Sequence, residues 1–152
     1  MTGDDVWRLV TPCGLYCGAC ANRARIPAQA AALRSALRDE YWDEIGEGIF
    51  PGFARFLEIL ETFTDPDGAC PGCREGGGNP ECEVRRCSQE RGLRTCSSCE
   101  DFPCPQLERI GRIYPVLLAD AERLRSLGVE DWVREQESRV ERGFVYSSIR
   151  CE

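Results

Sequence analysis

The chain contains no histidine, and all nineteen of its basic residues are arginine. Without histidine there is no imidazole general base, no Ser/His or Cys/His catalytic pair, and no zinc site of mixed Cys/His type. Without lysine there is no Schiff-base chemistry and no phosphate-loop lysine. Long apolar runs are missing too. No stretch approaches the roughly 18 residues of a membrane span, and no apolar run follows a basic segment at the start. Neither a membrane span nor a signal peptide is therefore expected, and the expected compartment is the cytosol. Positive charge is in deficit: 19 basic against 26 acidic residues give a formal net charge of −7. Nonspecific nucleic-acid binding needs a basic footprint, so no nucleic-acid partner is expected. Chemistry is left to Cys, Asp, Glu, Tyr, Arg or a bound metal.

What the chain has in excess is cysteine: eleven in 152 residues. Three lie at 13–20, seven at 70–104, and one at 151. In a reducing compartment such cysteines read as metal ligands or redox thiols before they read as a disulfide framework. The length fits a single domain, 1–152, with a real core.

Between the cysteine groups the pattern is helical. In "PAQAAALRSALRDEYWDEIG", Leu33, Leu37 and Tyr41 recur every four residues, with Pro27 near the start and Gly46 as the stop, which predicts a helix over 28–45. "PGFARFLEILETF" predicts a second over 51–63, with Pro51 in its first turn and an apolar stripe of Phe53, Phe56, Leu57, Leu60 and Phe63. "DPDG" at 65–68 ends it. Helices return over 105–143: Leu107, Ile110 and Ile113, a break at Pro115, then Leu117, Ala121 and Leu124 up to Gly128. Val129, Trp132, Val133, Gln136 and Val140 follow before Gly143. Each stripe reads as core packing, and Trp7, Trp42 and Trp132 read the same way. There is no internal repeat and no convincing strand pair. The expected fold is mainly α, with helical parts 28–63 and 105–143 around an irregular, metal-stabilised Cys-rich module of residues 13–20 plus 70–104.

Residues 70–104 have no period of 2 or 3.6 and carry Pro71, Gly76, Gly77, Gly78, Pro80 and Pro103. Such a stretch cannot fold by burial alone, and its seven cysteines supply a tether. The spacings are Cys13-x3-Cys17-x2-Cys20, Cys70-x2-Cys73, Cys82-x4-Cys87 and Cys96-x2-Cys99-x4-Cys104. A Cys-x2-Cys turn points two sulfurs at one ion, and glycine in or after the knuckle permits the positive φ the turn needs. In "CPGC", Pro71 presets that turn and Gly72 takes the unusual dihedral.

Ten cysteines admit several partitions. They could form two four-cysteine zinc sites with two left over, or a six-cysteine binuclear cluster plus one four-cysteine site. Two open three-cysteine sites (13/17/20 and 96/99/104) around a closed one also use all ten. All-sulfur sites suit zinc or iron–sulfur, and zinc, as two ions, is favoured over a [4Fe–4S] cluster. The opening motif "CGLYCGAC" has the spacing of radical S-adenosylmethionine enzymes. Those enzymes usually carry an aromatic residue where this chain has Ala19, and they need a (β/α) barrel that this chain lacks. Cys104-Pro105 has a ferredoxin-like ending, but 49 residues separate Cys20 from Cys70.

The order "CGLYCGAC", "CPGC", "CEVRRC", "CSSCEDFPC" and "DWVREQESR" resembles the prokaryotic Cys-rich domain-of-unknown-function 3795 family over about residues 10–143. The resemblance implies zinc binding by Cys13, Cys17, Cys20, Cys70, Cys73, Cys82, Cys87, Cys96, Cys99 and Cys104. Some relatives continue into a further Cys-x2-Cys segment. This chain has only Cys151 there, read as an exposed thiol.

Other residues read more plainly. Glu100 and Asp101 read as a solvated loop with Phe102 packed inward. Arg85 and Arg86 read as cations offsetting thiolate charge. Gly76–Gly78 follow no strand and are not a phosphate loop. The leading expectation is a zinc-binding protein whose metal is structural and which presents a surface to a protein partner. The alternative is an iron–sulfur or open-site metal or redox protein, or a small metalloenzyme, using Cys13, Cys17 and Cys20.

Overall fold

A computed structural model of the chain describes residues 5–149; Cys151 lies outside the described residues. The chain divides into two compact units, one of residues 21–70 and one built from the flanking segments on both sides.

The 21–70 unit is five helices: α1 (Ala21–Ala24), α2 (Ile26–Asp39), α3 (Trp42–Ile49), α4 (Phe53–Thr64) and α5 (Pro66–Ala69). The single helix expected over 28–45 is two. Helix α2 begins with Pro27 in its first turn and stops at Asp39. Tyr41 then takes a left-handed conformation at φ 60, and its carbonyl accepts the N–H groups of Glu44 and Ile45 to start α3. Gly46, expected as a stop, lies inside α3. A Cβ there would fall 2.2 Å from the Phe53 ring, so this glycine makes room for packing. Helix α4 starts two residues later than expected, with Pro51 in the preceding turn. Its first N–H groups are held by Glu47, whose two carboxylate oxygens accept from Gly52 and Ala54 at 2.9 and 2.8 Å. Asp65 ends α4 and caps the one-turn α5 by accepting from the N–H groups of Asp67 and Gly68.

The core reading fails for much of this unit. Leu60 and Ala30 are buried, and Leu37, Phe53 and Leu57 are partly so, but Leu33, Tyr41, Phe56 and Phe63 are exposed, Tyr41 to 68%. Ile45, Ile49, Phe50 and Ile59 are exposed as well. The reason lies in α4, which is apolar on more than one side. Leu57 and Leu60 lie on its covered side, leaving Phe56, Ile59 and Phe63 open to water. Trp42 packs on Phe50 and Phe53, with ring centroids 6.1 and 5.3 Å away.

The other unit has α6 (Glu83–Glu90), α7 (Pro105–Ile113), α8 (Leu117–Leu127) and α9 (Val129–Glu141), with short 3-10 turns between irregular segments. Here the expected stripes do form the core. Leu107, Leu117, Ala121, Leu124, Trp132 and Gln136 are buried, while Ile113 is exposed. Trp132 is wholly buried; its indole N–H donates to the Asp120 carbonyl at 2.9 Å, and Tyr16 meets it edge-on at 6.1 Å. The buried Asp120 carboxylate accepts twice from Arg139, at 2.8 and 3.0 Å. Trp7 is only half-buried, with the guanidinium groups of Arg74 and Arg94 over its ring at 5.4 and 5.6 Å. Among the described residues there is no strand, only an isolated bridge between Val10 and Tyr16. The fold is mainly α, and no described helix is long and apolar enough to cross a membrane.

Candidate metal centre

Nine of the expected ligands belong to the unit of α6–α9: Cys13, Cys17, Cys20, Cys73, Cys82, Cys87, Cys96, Cys99 and Cys104. Cys70 is the last residue of the 21–70 unit, where its carbonyl accepts from Arg23 at 2.7 Å. None of these ten cysteines forms a disulfide.

The same turn is built twice. Cys17–Ala19 and Cys96–Ser98 are each one 3-10 turn. The N–H of Cys20 donates to the Cys17 carbonyl at 3.0 Å, and that of Cys99 to the Cys96 carbonyl at 2.9 Å. The second cysteines have nearly the same backbone, φ −76 and ψ 138 at Cys20 and φ −75 and ψ 141 at Cys99. One turn holds Gly18 and Ala19 between its cysteines and the other Ser97 and Ser98, so the cysteine pair and its backbone bond define the shape. Gly18 does not have positive φ; it is small because a Cβ would fall 2.3 Å from the Tyr16 ring. Gly72 of "CPGC" does adopt the expected unusual backbone, at φ 104.

The remaining cysteines start or flank helices. Cys82 caps α6, its sulfur accepting from the Arg85 N–H at 3.5 Å, and Cys104 precedes α7 with Pro105 in the first turn. The Cys96 N–H donates to the Pro12 carbonyl at 2.8 Å, which lays the Cys13 segment beside the second knuckle. The Cys13 sulfur is 3.1 Å from the Thr11 hydroxyl.

Arginines hold these loops, and the sequence did not announce it. Arg85 was expected to offset thiolate charge. Instead it is buried and donates to four backbone carbonyls: Cys73 at 3.1 Å, Gly77 at 2.7 Å, Asn79 at 2.9 Å and Pro80 at 3.2 Å. A guanidinium has five donors in a planar fork, which suits a ring of carbonyls in a loop without helix or strand bonds. Arg86 is exposed. Arg74 donates to the Trp7 carbonyl at 2.9 Å and to the Arg94 carbonyl at 2.6 Å. Arg91 meets the Cys99 sulfur at 3.2 Å and Asp101 at 2.6 Å. Asp101 is thus paired with an arginine, and Phe102 packs on the core as expected.

The thiols crowd one another. A hydrogen bond with Cys17, then burial, then the charges of Cys17, Cys13 and Cys20 push the Cys73 thiol well above its ordinary range. Burial raises Cys13 against the opposing Thr11 hydrogen bond, and Cys82 and Cys17 raise it further. Burial, then Cys13, Cys104, Cys87 and Cys99, push Cys96 up to about 12. Cys87, Cys96, Cys99 and Cys104 line one cavity of about 380 Å³, walled also by Val84 and Leu107. Thiols this close ionise together only if a cation joins them, and an all-sulfur donor set suits zinc or iron. Among the described residues no three Cys, Asp or Glu side chains are drawn in to ion-holding distance.

No curated protein and no solved structure matches the chain. Residues 9–109, most of the chain and the span that includes all ten of these cysteines, match the family described as protein of unknown function (DUF3795), so the chain belongs to that family.

Proposed function

We propose that the protein binds zinc through its cysteine thiolates and that the metal is structural, holding the loops between the knuckles. The observation that carries this reading is the gathering of nine undisulfided cysteines in one unit, most of them in segments without regular helix or strand. Neutral thiols at raised pKa are poor ligands until a metal displaces their protons, so binding releases protons and couples to folding. The exposed Leu33, Ile45, Ile49, Phe50, Phe56 and Phe63 of the 21–70 unit support the second part of the proposal, that the protein presents an apolar surface to a protein partner.

Anaerobic purification followed by elemental and acid-labile sulfide analysis tests the metal. Zinc without iron is the expected result. Iron with sulfide, or no metal at all, overturns the reading. Removal of the metal by a strong chelator is expected to unfold residues 71–104 while much of the helical circular-dichroism signal survives. Unchanged thermal unfolding after verified metal removal overturns the structural role.

A further inference from the structure

Resting on the reading that the protein presents an apolar surface to a protein partner, we propose that the outer face of α3 takes a basic amphipathic helix of that partner. Helix α3 buries little of itself: Gly46 is buried and Trp42 is partly covered, while its other residues are exposed. Ile45 and Ile49 lie one turn apart on one face, Tyr41 stands at the turn that starts the helix, and Phe50 follows its end. Tyr41, Ile45, Ile49 and Phe50 are 68, 48, 51 and 58% exposed. The helix rises roughly 12 Å over its length, enough for two turns of a second helix laid alongside. A Cβ at Gly48 would meet nothing within 4 Å, so a partner side chain can reach the backbone there, beside Glu44 and Ile45.

Charge then chooses the occupant. Sixteen residues lie between Arg38 and Arg55, and they include five acids and no base. Two of the five are taken up inside the unit. Asp43 accepts from Arg34 at 3.1 and 3.2 Å, and Glu47 accepts from the N–H groups that start α4. Asp39, Glu40 and Glu44 are exposed and have neither role. Glu40 adjoins Tyr41 and Glu44 adjoins Ile45, so negative charge edges the apolar face. The 21–70 unit as a whole carries five arginines against nine acids. Two copies joined through this face would bring six such carboxylates together, and a membrane surface is itself anionic, so charge opposes both. A helix with lysine or arginine along one edge of its apolar side covers the isoleucines and pairs with the carboxylates at once.

The test uses the full chain purified anaerobically and a labelled synthetic peptide of leucine and lysine, about four turns long, whose leucines share one face when it is helical. Fluorescence anisotropy should show binding at micromolar peptide. A scrambled peptide of the same composition, and one with glutamate in place of every lysine, should each bind about tenfold more weakly. Equal binding of the scrambled peptide shows general charge attraction and overturns the proposal. Equal binding of the acidic peptide overturns the basic partner and leaves the apolar docking surface standing. Ile45→Ser with Ile49→Ser should weaken the basic peptide about tenfold, and no change there overturns the placement on α3. Glu40→Gln with Glu44→Gln should weaken it about fivefold at low salt, with the gap closing at high salt. A dimer in sedimentation equilibrium that the isoleucine variant breaks gives the face to a second copy and overturns the proposal, as does tighter binding to vesicles of anionic lipid than to the peptide. A chain that stays monomeric and binds none of the peptides overturns both the proposal and the docking-surface reading. The comparison of peptides on the unaltered chain decides the matter even if a variant fails to fold.

Discussion

Replacing Arg85 tests the claim that its guanidinium group holds the cysteine loops. Its side chain donates four hydrogen bonds, from 2.7 to 3.2 Å, to the carbonyls of Cys73, Gly77, Asn79 and Pro80. Hydrogen bonds to a charged group contribute roughly 1.5–3 kcal/mol each when a partner is lost in a buried site. The simple sum overstates the effect, because the loop itself is largely exposed and water can reach several of the released carbonyls. About 3 kcal/mol is therefore expected for Arg85→Ala, a shift of roughly 6–12 °C in the melting temperature of a chain this size. Arg85→Lys keeps the charge but offers three donors from a single nitrogen, and is expected to recover less than half of the loss. The assay is urea and thermal unfolding of the anaerobically purified protein by tryptophan emission. A Trp42→Phe background keeps the signal in the unit that contains Arg85. Arg85→Lys as stable as the parent, or Arg85→Ala within about 0.5 kcal/mol of it, the ordinary range for a surface substitution, would refute the carbonyl-clamp account.

Two other outcomes follow from single contacts. Hydrogen bonds from the N–H groups of Ala54 and Gly52 hold the Glu47 carboxyl below its ordinary range. A depressed folded-state value gives stability that is complete above the unfolded pKa and is lost as pH falls through the folded one, so Glu47→Gln should be less stable than the parent at neutral pH and converge with it at an acid pH below the folded value. Circular-dichroism melts at the two pH values check this, and an equal gap at both would refute it. Gly14 has φ 95, and a Cβ there would fall 2.8 Å from the Ala121 Cβ. Gly14→Ala should cost about 2–4 kcal/mol from backbone strain plus overpacking; adding Ala121→Gly should recover the packing part and leave the strain, as read from urea midpoints.

The sequence carried the helices around residues 105–143 well, because that part of the chain buries one stripe per helix and the period of the apolar residues is the signal. The first three helices of the 21–70 unit were harder to read. The left-handed Tyr41 is a non-glycine residue in a conformation that no composition rule announces, and it splits what the period presents as one helix. The same period could not tell a buried stripe from an exposed one, since Phe56 and Phe63 alternate with Leu57 and Leu60 on a helix that is apolar on more than one side. The knuckles were legible from spacing, and Gly72 from its place between Pro71 and Cys73. Arg85 was not, because its partners are carbonyls of an aperiodic loop, and carbonyls are present at every residue and mark nothing in a sequence.

Trp7 gives the cysteine unit an optical handle of its own. Two guanidinium groups lie over its indole, and one of them, Arg74, also donates to the Trp7 and Arg94 carbonyls. Arg74 follows Cys73 directly, and Arg94 precedes the Cys96 knuckle by two residues. Any rearrangement of either cysteine loop therefore moves a positive charge across the face of an indole, whose emission wavelength responds to nearby charge. Under the proposed zinc binding, metal entry and loss are expected to be readable from the protein's native fluorescence, without a dye or a label.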